Sequence, residues 1–423
     1  YYTGSYTSRY ADLVWQAGLS SQDYGASTFY SAKFDNQWEA TRRIITSAQA
    51  DIKPFGDERL VITPQAYWHR DVDHYQLTRG KEGAKNGENY HRTDVYGASL
   101  NAHATWLLGK TAVGIDIRKE HILSTAYGDL LPENEWKDIH GTDRRYDHRG
   151  DRTNTSLFLE HNVILGGFTL SAGVLANRNT GLDGDFRFYP GVDLSYRPNE
   201  MWKFYASWNK ALRVPTYTDL YTSNSVQQGD TGLRPERTST FKAGTRFRTR
   251  GVEAVVSGFY SKGNDIIDWV YETEESRKYH AMNIGKLDNM GYSVDATLNM
   301  TELIPGSFVT RIKAGYARIH QRHTTEQPVY RSLYALEYLR HKATFQLDHR
   351  IWSRLSASWA VRWQERMNHY EPYTKVDCKL QWTAPTYSLY VKADNITIHR
   401  YYDLGGVRKP GLWIMAGGSV KSG

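Results

Sequence analysis

The chain has 423 residues, of which 40% are hydrophobic, with a mean hydropathy of −0.64 and a formal net charge of +7. No run approaches the roughly 20 apolar residues that a spanning helix needs, which excludes a helical membrane protein. The charge is spread along the chain rather than collected in one run, so it does not support nucleic-acid binding. Cys378 is the only cysteine, which excludes an intrachain disulfide framework and a thiolate metal cluster.

Short runs of alternating apolar and polar residues, separated by turn residues, recur from one end of the chain to the other. This pattern predicts about 19 β-strands and an all-β fold. The predicted strands are 1–8, 11–20, 37–52, 58–70, 90–106, 110–123, 151–165, 168–179, 186–197, 201–213, 237–248, 252–262, 280–300, 307–320, 335–350, 354–366, 371–382, 387–396 and 411–421.

The connections between these strands alternate in length. Short turns built with Gly, Pro and Asn are expected at 8–10, 108–109, 166–167, 198–200, 250–251, 352–353 and 384–386. Mostly long connections are expected at 21–36, 71–89, 124–150, 214–236, 263–279, 321–334 and 397–410. A soluble sandwich has no reason to sort its loops in this way. The sorting is typical of a transmembrane up-and-down antiparallel β-barrel with one short-turn rim and one long-loop rim.

The alternation assigns one face of each strand to lipid and the other to the lumen. Outward positions are Trp202, Phe204, Ala206, Trp208, Phe241, Ala243 and Phe247, and inward positions are Lys203, Tyr205, Ser207, Asn209, Lys242, Arg246 and Arg248. A bilayer tolerates no open sheet edge, so the sheet is expected to close. Single-chain bacterial barrels usually have an even strand number, and the odd count suggests that strands are missing at the N-terminal side.

No catalytic signature is present: the chain has no HExxH motif, no G-x-S-x-G motif and no P-loop. The sequence therefore predicts no enzyme, no catalytic residues, no bound cofactor and no resident metal. The densest histidine group lies around the predicted loop 71–89, and its members Trp68, His69, His74, Tyr75 and His91 are candidate ligand contacts. The alternative interpretation is an exposed hairpin with polar rim residues.

Two further groups are candidates for ligand binding. Arg144 and Arg145 open a charged run that suits an anionic ligand or lipopolysaccharide phosphates, and a solvated charge cluster is the competing interpretation. Tyr217 and Tyr221 lie in a long loop that mixes aromatic and polar residues, which suits a bulky, partly apolar ligand. Self-packed loops without a ligand fit the same composition.

Three ordered motifs carry a family resemblance. The segment 209–221, with Arg213, Pro215 and Asp219, resembles the Arg-x-Pro-Thr to Asp-Leu-Tyr motif of TonB-dependent outer-membrane transporters. Gly232–Thr238, with Pro235 and Glu236, resembles the Leu-Lys-Pro-Glu segment of that family. Asn395, then Tyr401–Asp403 with Tyr402, then Pro410–Trp413 resembles its last two strands. The motif residues are expected to serve barrel architecture, and the closest resemblance is to cobalamin and ferric-siderophore receptors of the Bacteroidetes.

The resemblance implies a 22-stranded barrel filled by an N-terminal plug, of which this chain would supply the fourth to the last strand. It also implies a Gram-negative outer-membrane location, with lipid and lipopolysaccharide around the barrel. Ligand, expected to be a small metal chelate, would bind to loops and plug. The TonB–ExbB–ExbD complex would act through an N-terminal segment, and a surface lipoprotein is a further expected partner.

The chain departs from the family in several respects. It begins mid-pattern with no signal peptide, plug, TonB-contacting segment or first strands, and it ends without the family's terminal aromatic. The whole of 1–423 is therefore expected to be a partial receptor barrel. The first hypothesis for function is energised uptake of a large scarce nutrient such as cobalamin or a ferric siderophore. A passive porin-like channel and a soluble glycan-binding β-protein are the alternatives.

Overall fold

The computed structural model describes residues 1–27, 30, 33–336, 338–367, 370–402 and 408–420. Asp403 of the third motif and Lys421 at the end of the last predicted strand lie outside these residues. The strands in chain order are β1 (Tyr2–Thr7), β2 (Ala11–Ser27), β3 (Gln37–Ile52), β4 (Leu60–Gln76), β5 (Glu88–Trp106), β6 (Gly109–Ser124), β7 (Asp129–Leu130), β8 (Lys137–Asp138), β9 (Arg145–Tyr146), β10 (His148–Leu165), β11 (Phe168–Asn179), β12 (Arg187–Tyr196), β13 (Trp202–Arg213), β14 (Gln227–Gln228), β15 (Glu236–Thr249), β16 (Val252–Asn264), β17 (Ile267–Tyr271), β18 (Tyr279–Asn283), β19 (Lys286–Asn299), β20 (Val309–Thr324), β21 (Arg331–Ser332), β22 (Leu339–Arg350), β23 (Leu355–Arg366), β24 (Tyr373–Thr383), β25 (Tyr387–Asp394) and β26 (Trp413–Val420).

A single 20-stranded sheet contains the two-residue β7 and the 19 strands that build the wall. Each wall strand pairs antiparallel with the next wall strand along the chain, so the chain runs up and down as a meander. The 19 predicted wall strands are thereby confirmed, except that the start of the predicted strand 280–300 forms the separate β18 and its wall strand begins at Lys286. Within the described residues, β1 and β26 have one wall neighbour each, so the expected closing pair is not formed there.

Several strands are longer than the alternation predicted. β2 continues to Ser27, β4 continues to Gln76, and β5 begins at Glu88, so the predicted loop 71–89 was too long at both ends and the connection is residues 77–87. Most of the added residues are polar, with Asp73 opposite His91 on the inner face and His74 opposite Tyr90 on the outer face. Polar side chains on both faces remove the alternation that marks a strand in the sequence, although the backbone pairing continues.

The register confirms the predicted faces. Trp208 pairs with Phe241 on one face, and Ser207 pairs with Lys242 on the other. The apolar face turns outward along the wall, whereas the polar face lines the interior. Residues directly opposite each other in an antiparallel pair point to the same side of the sheet, so each cross-strand pair extends the assignment to the next strand.

The buried apolar clusters lie among the long loops. β14, β17, β18 and β21 form a separate four-stranded sheet over the long-loop rim. At its centre the Asp268 carboxylate accepts hydrogen bonds from the Ser332 hydroxyl and from the backbone N–H groups of Trp269 (2.8 Å) and Ala335 (2.9 Å). Burial raises the pKa of Asp268. Four donors, including the Tyr334 N–H, therefore hold this carboxyl where its charge is poorly solvated.

Helices are few and short in the described part of the chain. They are α1 (Tyr217–Tyr221) and α2 (Met300–Leu303), with two 3₁₀ turns at Ala84–Asn86 and Glu133–Glu135. None of the helices described has the length and apolar character that crossing a bilayer would require.

Candidate functional site

The inner wall carries a cavity of about 430 Å³ near the long-loop rim, hereafter the inner cavity. Inward-facing polar side chains of β6, β10, β11, β12 and β13 form most of its lining. They are Arg118, Arg152, Asn154, Asn177, Asn179, Tyr189 and Arg213. Register explains the grouping, because Asn154 pairs with Arg118 on one side and with Asn179 on the other.

Three asparagine amides are linked on this wall. The Asn177 Nδ2 donates to the Asn154 Oδ1 (3.0 Å) and to the Ser156 hydroxyl (2.9 Å), and the Asn179 Nδ2 also reaches the Asn154 Oδ1 (3.3 Å). These bonds fix the orientation of the amides. An amide held in this way is a preorganised partner for polar groups of a ligand.

Two guanidinium groups share one carboxylate at the edge of the inner cavity. Glu120 accepts from Arg118 (2.9 Å) and from Arg152, which also donates to the Pro215 carbonyl oxygen (2.8 Å). Two cations against one anion leave a positive excess at this point of the wall. The positive excess favours a ligand that presents negative charge or hydrogen-bond acceptors.

Three buried polar atoms around the inner cavity have no hydrogen-bond partner within the described part of the chain. They are the Arg118 Nε, the Tyr189 hydroxyl and the Tyr217 hydroxyl. A buried donor without a partner costs about 1–3 kcal/mol, so such atoms are normally satisfied by water or by a ligand. The inner cavity therefore offers unused hydrogen-bonding capacity beside its fixed amides.

α1 brings Tyr217 and Tyr221 onto the inner wall. Thr216 caps this helix: its hydroxyl accepts from the Asp219 N–H (3.1 Å), and the Asp219 carboxylate accepts from the Thr216 N–H (3.0 Å). The Tyr217 ring lies against Gly150, where an added Cβ would stand 2.6 Å from a ring carbon. Burial raises the pKa of Tyr217 to about 12, so its phenol keeps its proton at neutral pH and is available as a donor.

The motif residues hold this loop to the wall. Arg213 donates to Asp219 (3.2 Å) and to Glu236 (2.6 Å), and Glu236 also accepts the Ile267 N–H (2.9 Å). The Pro215 carbonyl binds Arg152, as described above. These contacts join β13, α1, β15 and β17.

The other motif residues lie outside the inner cavity. Pro235 directly precedes β15. Asn395 is buried at a φ of +54°, receives the Thr397 hydroxyl (3.1 Å) and donates to the His399 carbonyl (2.9 Å). Tyr402 is exposed and forms an isolated bridge with Arg408.

The predicted histidine group is divided between the two faces of the wall. His91 faces inward, where its ring stacks on Tyr127 (centroids 4.2 Å apart) and its Nδ1 lies 2.8 Å from the Ser124 hydroxyl. Tyr75 also faces inward and donates to the Gln37 amide oxygen (2.8 Å). His69 faces inward beside Tyr67, with ring centroids 5.1 Å apart.

Trp68 and His74 lie on the outer face instead. The Trp68 indole donates to Asp94 (3.0 Å), and the His74 Nε2 lies 2.8 Å from a carboxylate oxygen of Glu88. The candidate Arg144 reaches the same glutamate (3.2 Å) from the neighbouring loop. Arg145 points into solvent and pairs with Asp138 (3.0 Å).

Glu88 is the centre of a structure that we call the outer cap, formed by residues 77–87 and 131–147 against the outer wall. Besides His74 and Arg144, it accepts from the Gly83 N–H (2.7 Å), the Tyr90 hydroxyl (3.1 Å) and the Gln76 amide (3.2 Å). The apolar part of the outer cap is Tyr90, Leu123, Leu131, Ile139 and Tyr146, with Trp136 packed against it. Of the candidates, the structure thus brings His74 and Arg144 together around a carboxylate, away from the inner cavity.

Most residues of the inner cavity were missed by the sequence reasoning. Arg118, Arg152, Asn154 and Tyr189 belong to no motif, and they come from three strands, β6, β10 and β12. Two features together identify them. Each residue occupies an inward-facing position in the alternation of its strand, and each lies toward the end of the strand at the long-loop rim. Among the described residues, no group of three His, Cys, Asp or Glu side chains is placed to hold a metal ion.

Comparison with known proteins gives a consistent result. The family model described as "TonB dependent receptor-like, beta-barrel" matches residues 1–396. The apoprotein form of the FrpB iron transporter from Neisseria meningitidis aligns with a TM-score of 0.74 at 15% identity, over 98% of this chain and 69% of that chain. The ferric citrate transporter FecA, unliganded, aligns with a TM-score of 0.73 at 15% identity, over 99% and 69%. The copper transporter OprC aligns with a TM-score of 0.72 at 14% identity, over 97% and 69%.

Proposed function

Because the chain belongs to the TonB-dependent receptor β-barrel family, we propose that it forms the barrel wall of an outer-membrane receptor for energised uptake of a metal chelate. In this proposal the long-loop rim faces the outside of a Gram-negative cell. An N-terminal plug in the full-length receptor fills the lumen, and the TonB–ExbB–ExbD complex supplies the energy through that part. No covalent chemistry is required, because the receptor binds and releases its cargo.

The single observation that carries the proposal is the inner cavity. It combines fixed amides, guanidinium groups and buried donors without partners, all on the inward face below the long loops. Ligand sites usually combine a concave surface with a few convergent polar groups. The solved structures that resemble this fold include an iron transporter, a ferric citrate transporter and a copper transporter.

Within the proposed ligand class, the donors favour a ferric siderophore over cobalamin. Arg118, Tyr189 and Tyr217 all present N–H or O–H groups, and these match the acceptor oxygens of carboxylate, hydroxamate or catecholate chelators. A charged acceptor strengthens each such bond, because hydrogen bonds to ionised groups contribute about 1.5–3 kcal/mol.

The test is a binding and uptake measurement on the full-length receptor with ferric citrate, a ferric hydroxamate, a ferric catecholate and cyanocobalamin. The double variant Tyr189→Phe/Tyr217→Phe removes two hydroxyls that bond to no described residue. We expect it to weaken binding of one ferric chelate by about tenfold or more, from the loss of two ligand bonds. Tyr292→Phe on the outer face is the matched control and should bind as the unaltered receptor does.

Two results would contradict the proposal. Unchanged affinity of the double variant for every chelate would remove the inner cavity from the binding site. Uptake that continues undiminished after the proton-motive force is collapsed would favour the passive channel over the energised receptor.

A further inference from the structure

A second cavity, of about 550 Å³, lies at the short-turn rim and is called the rim cavity below. Two tight turns form its edge, 166–167 between β10 and β11 and 197–201 between β12 and β13. The cationic members of its lining are Arg197, Lys203, Arg246 and Arg248. Because β13 runs from the rim cavity to the inner cavity, the two lie roughly 30 Å apart by the rise of a strand.

Register brings these four cations together on the inner face. Lys203 pairs directly with Arg246, and Arg248 follows two residues later on the same face of β15. The pairing of β12 with β13 ends at Tyr196, and the next position along the same register sets Arg197 beside Lys203. Neighbouring strands lie about 4.8 Å apart, and alternate residues of one strand lie about 6.8 Å apart. The cations therefore form an array with intervals of about 5 Å across the strands and about 7 Å along β15.

The four cations of the rim cavity have two carboxylates near them. Glu253 is shared by the two arginines of β15, at distances of 2.7 Å and 3.9 Å, and Glu200 belongs to the lining itself. Arg197 and Lys203 lie within ion-pair distance of no carboxylate that the structure describes. Four cations against two carboxylates leave an excess of two positive charges, which favours an anionic ligand.

One hydrogen-bond donor of the rim cavity is buried and unused. The Arg246 Nε has no partner among the described residues, although the Nη2 of the same side chain is ion-paired. A buried donor of this kind is normally satisfied by water or by a ligand. Other inward cations at this rim are satisfied within the chain: Lys53 lies 2.8 Å from Asp12, and Arg311 lies 2.7 Å from Asp348. The described part of the chain supplies no such acid for the excess charge of the rim cavity.

The turns at the edge of the rim cavity leave it open from beyond the rim. The Asn199 Oδ1 accepts the backbone N–H groups of Met201 (3.0 Å) and Trp202 (3.0 Å), which fixes the turn before β13. The opposite turn is Gly166 and Gly167, which carry no side chains, and a Cβ added at Gly166 would meet no atom within 4 Å. A polypeptide segment can therefore reach the cations from the short-turn side without passing through the lumen.

We propose that the rim cavity binds an extended acidic segment of a protein partner on the side of the membrane opposite the long loops. Alternate side chains of an extended segment lie about 7 Å apart, the interval between the cations along β15. Guanidinium groups pair with carboxylates through two parallel hydrogen bonds, so each acidic side chain of the segment has a matching site. A single small anion covers only one part of this array. The proposal goes beyond ligand uptake and does not depend on which chelate the receptor carries.

The experiment measures peptide binding to the full-length receptor in detergent by fluorescence anisotropy. The probe is the fluorescein-labelled, capped peptide Ser-Glu-Ser-Glu-Ser-Glu, and the same peptide with Gln in place of Glu is the neutral comparison. The test variant is Arg197→Gln/Lys203→Gln. The matched control is Lys110→Gln/Lys313→Gln, which removes two other inward cations of the same rim that have no ion pair among the described residues.

We expect the test variant to bind the acidic peptide at least about tenfold more weakly than the unaltered receptor, because two charge-assisted contacts are lost. The control variant should bind within about twofold of the unaltered receptor, and the neutral peptide should bind none of the three proteins. The charge-conserving variant Arg197→Lys/Lys203→Arg should retain binding. The single variant Lys203→Gln, with an expected loss of about threefold, provides the same test if the double variant fails to fold.

Three results would overturn the proposal. Absence of peptide binding, or equal binding by the test variant, would show that the cations of the rim cavity are simply solvated. An equal loss in the control variant would show a general effect of charge at the rim. Full displacement of the peptide by inorganic phosphate or glutarate at the same concentration would show that a small free anion, and not a peptide, is the ligand. Chelate uptake is measured separately, so none of these results bears on the proposed transport function.

Discussion

The outer cap packs on the outer face of β4 to β6, whereas the inner cavity lies on the inner face of β6 and β10 to β13, and the two differ in how their polar groups are satisfied. In the outer cap, Glu88 is 1% exposed and receives donors from five residues, which close the cluster on itself. In the inner cavity, donors of Arg118, Tyr189 and Tyr217 remain without a partner. A satisfied cluster stabilises loops, whereas an unsatisfied one has capacity for a ligand.

The largest expected effect comes from Glu88→Ala. Removing the carboxylate leaves Arg144, His74 and three other partners without their shared acceptor, and breaking a buried ion pair costs about 3–5 kcal/mol. We expect local opening of the outer cap, measured as faster hydrogen exchange and proteolysis in residues 77–87 and 131–147. Chelate affinity should change by less than about twofold, because the inner cavity shares no partner with Glu88.

The exposed Glu274→Ala is the control for that variant and should leave exchange in the outer cap unchanged. Full protection of both cap segments in Glu88→Ala would show that the apolar cluster alone holds them. A large loss of chelate affinity in that variant would show that the outer cap and the inner cavity are coupled, and would contradict their assignment to separate roles.

The same difference shows how far sequence reasoning extends. The 19 wall strands were predictable because alternation and turn chemistry are local signals that survive in a single sequence. Residue parity also separates Trp68 from His69, since neighbours in a strand point to opposite faces. The group around His74 was nevertheless predicted to form one loop. The ends of β4 and β5 near the long-loop rim carry polar residues on both faces, so the apolar–polar alternation is lost there.

The inner cavity was not predictable from one strand at a time. Arg118 and Asn154 meet only because the register between β6 and β10 sets them opposite each other. A slip of one residue would turn every side chain of a strand to the other face. Tyr217 was predicted as a ligand contact from the composition of its loop. Its position depends on Gly150 in another strand, which has no side chain and so leaves room for the ring.

Gly150→Ala tests whether the position of the Tyr217 ring matters for ligand binding at the inner cavity. The new Cβ would stand 2.6 Å from the Tyr217 ring and 2.9 Å from an Ile122 methyl carbon, so the ring must move. Overpacking of this kind costs about 1–3 kcal/mol. We expect chelate affinity to fall by about five- to tenfold, with hydrogen exchange in the outer cap unchanged.

The matched control is Gly191→Ala on the same inner wall, where a Cβ would make only ordinary contacts at 3.6 Å or more. Equal behaviour of the two alanine variants would show that α1 shifts at no cost and that Tyr217 does not form part of the binding wall.

A pH series tests a second satisfied carboxyl, Asp265, which lies outside the outer cap between β16 and β17. This carboxyl is mostly buried, which opposes ionisation, but hydrogen bonds from Arg237 (2.6 Å) and Arg234 (2.9 Å) lower its pKa overall. A pKa lowered on folding stabilises the loop above the ordinary range of a carboxyl, about pH 4, and that stability is lost as the pH falls through the folded-state value. We expect proteolysis of residues 265–285 to accelerate only below about pH 4.

In Asp265→Asn, proteolysis of that segment should already be faster at pH 7, by the equivalent of about 1–3 kcal/mol. Its rate should then depend less on pH than that of the unaltered protein. Acceleration in the unaltered protein between pH 5 and pH 6 would point to another titrating group and would remove Asp265 from this role.

The smallest expected effect concerns the link between the His91 region of the inner wall and α1. The Tyr127 hydroxyl lies 3.0 Å from the Thr222 hydroxyl, and this bond ties the His91 region to the end of α1. Tyr127→Phe removes one neutral hydrogen bond, worth about 0.5–1.5 kcal/mol, while the ring keeps its stacking on His91. We expect faster hydrogen exchange in residues 217–222 and a two- to fourfold loss of chelate affinity, with the outer cap unaffected. Unchanged exchange in α1 would mean that Arg213 and the Thr216 cap hold the helix alone, and the binding region would then be confined to the inner cavity.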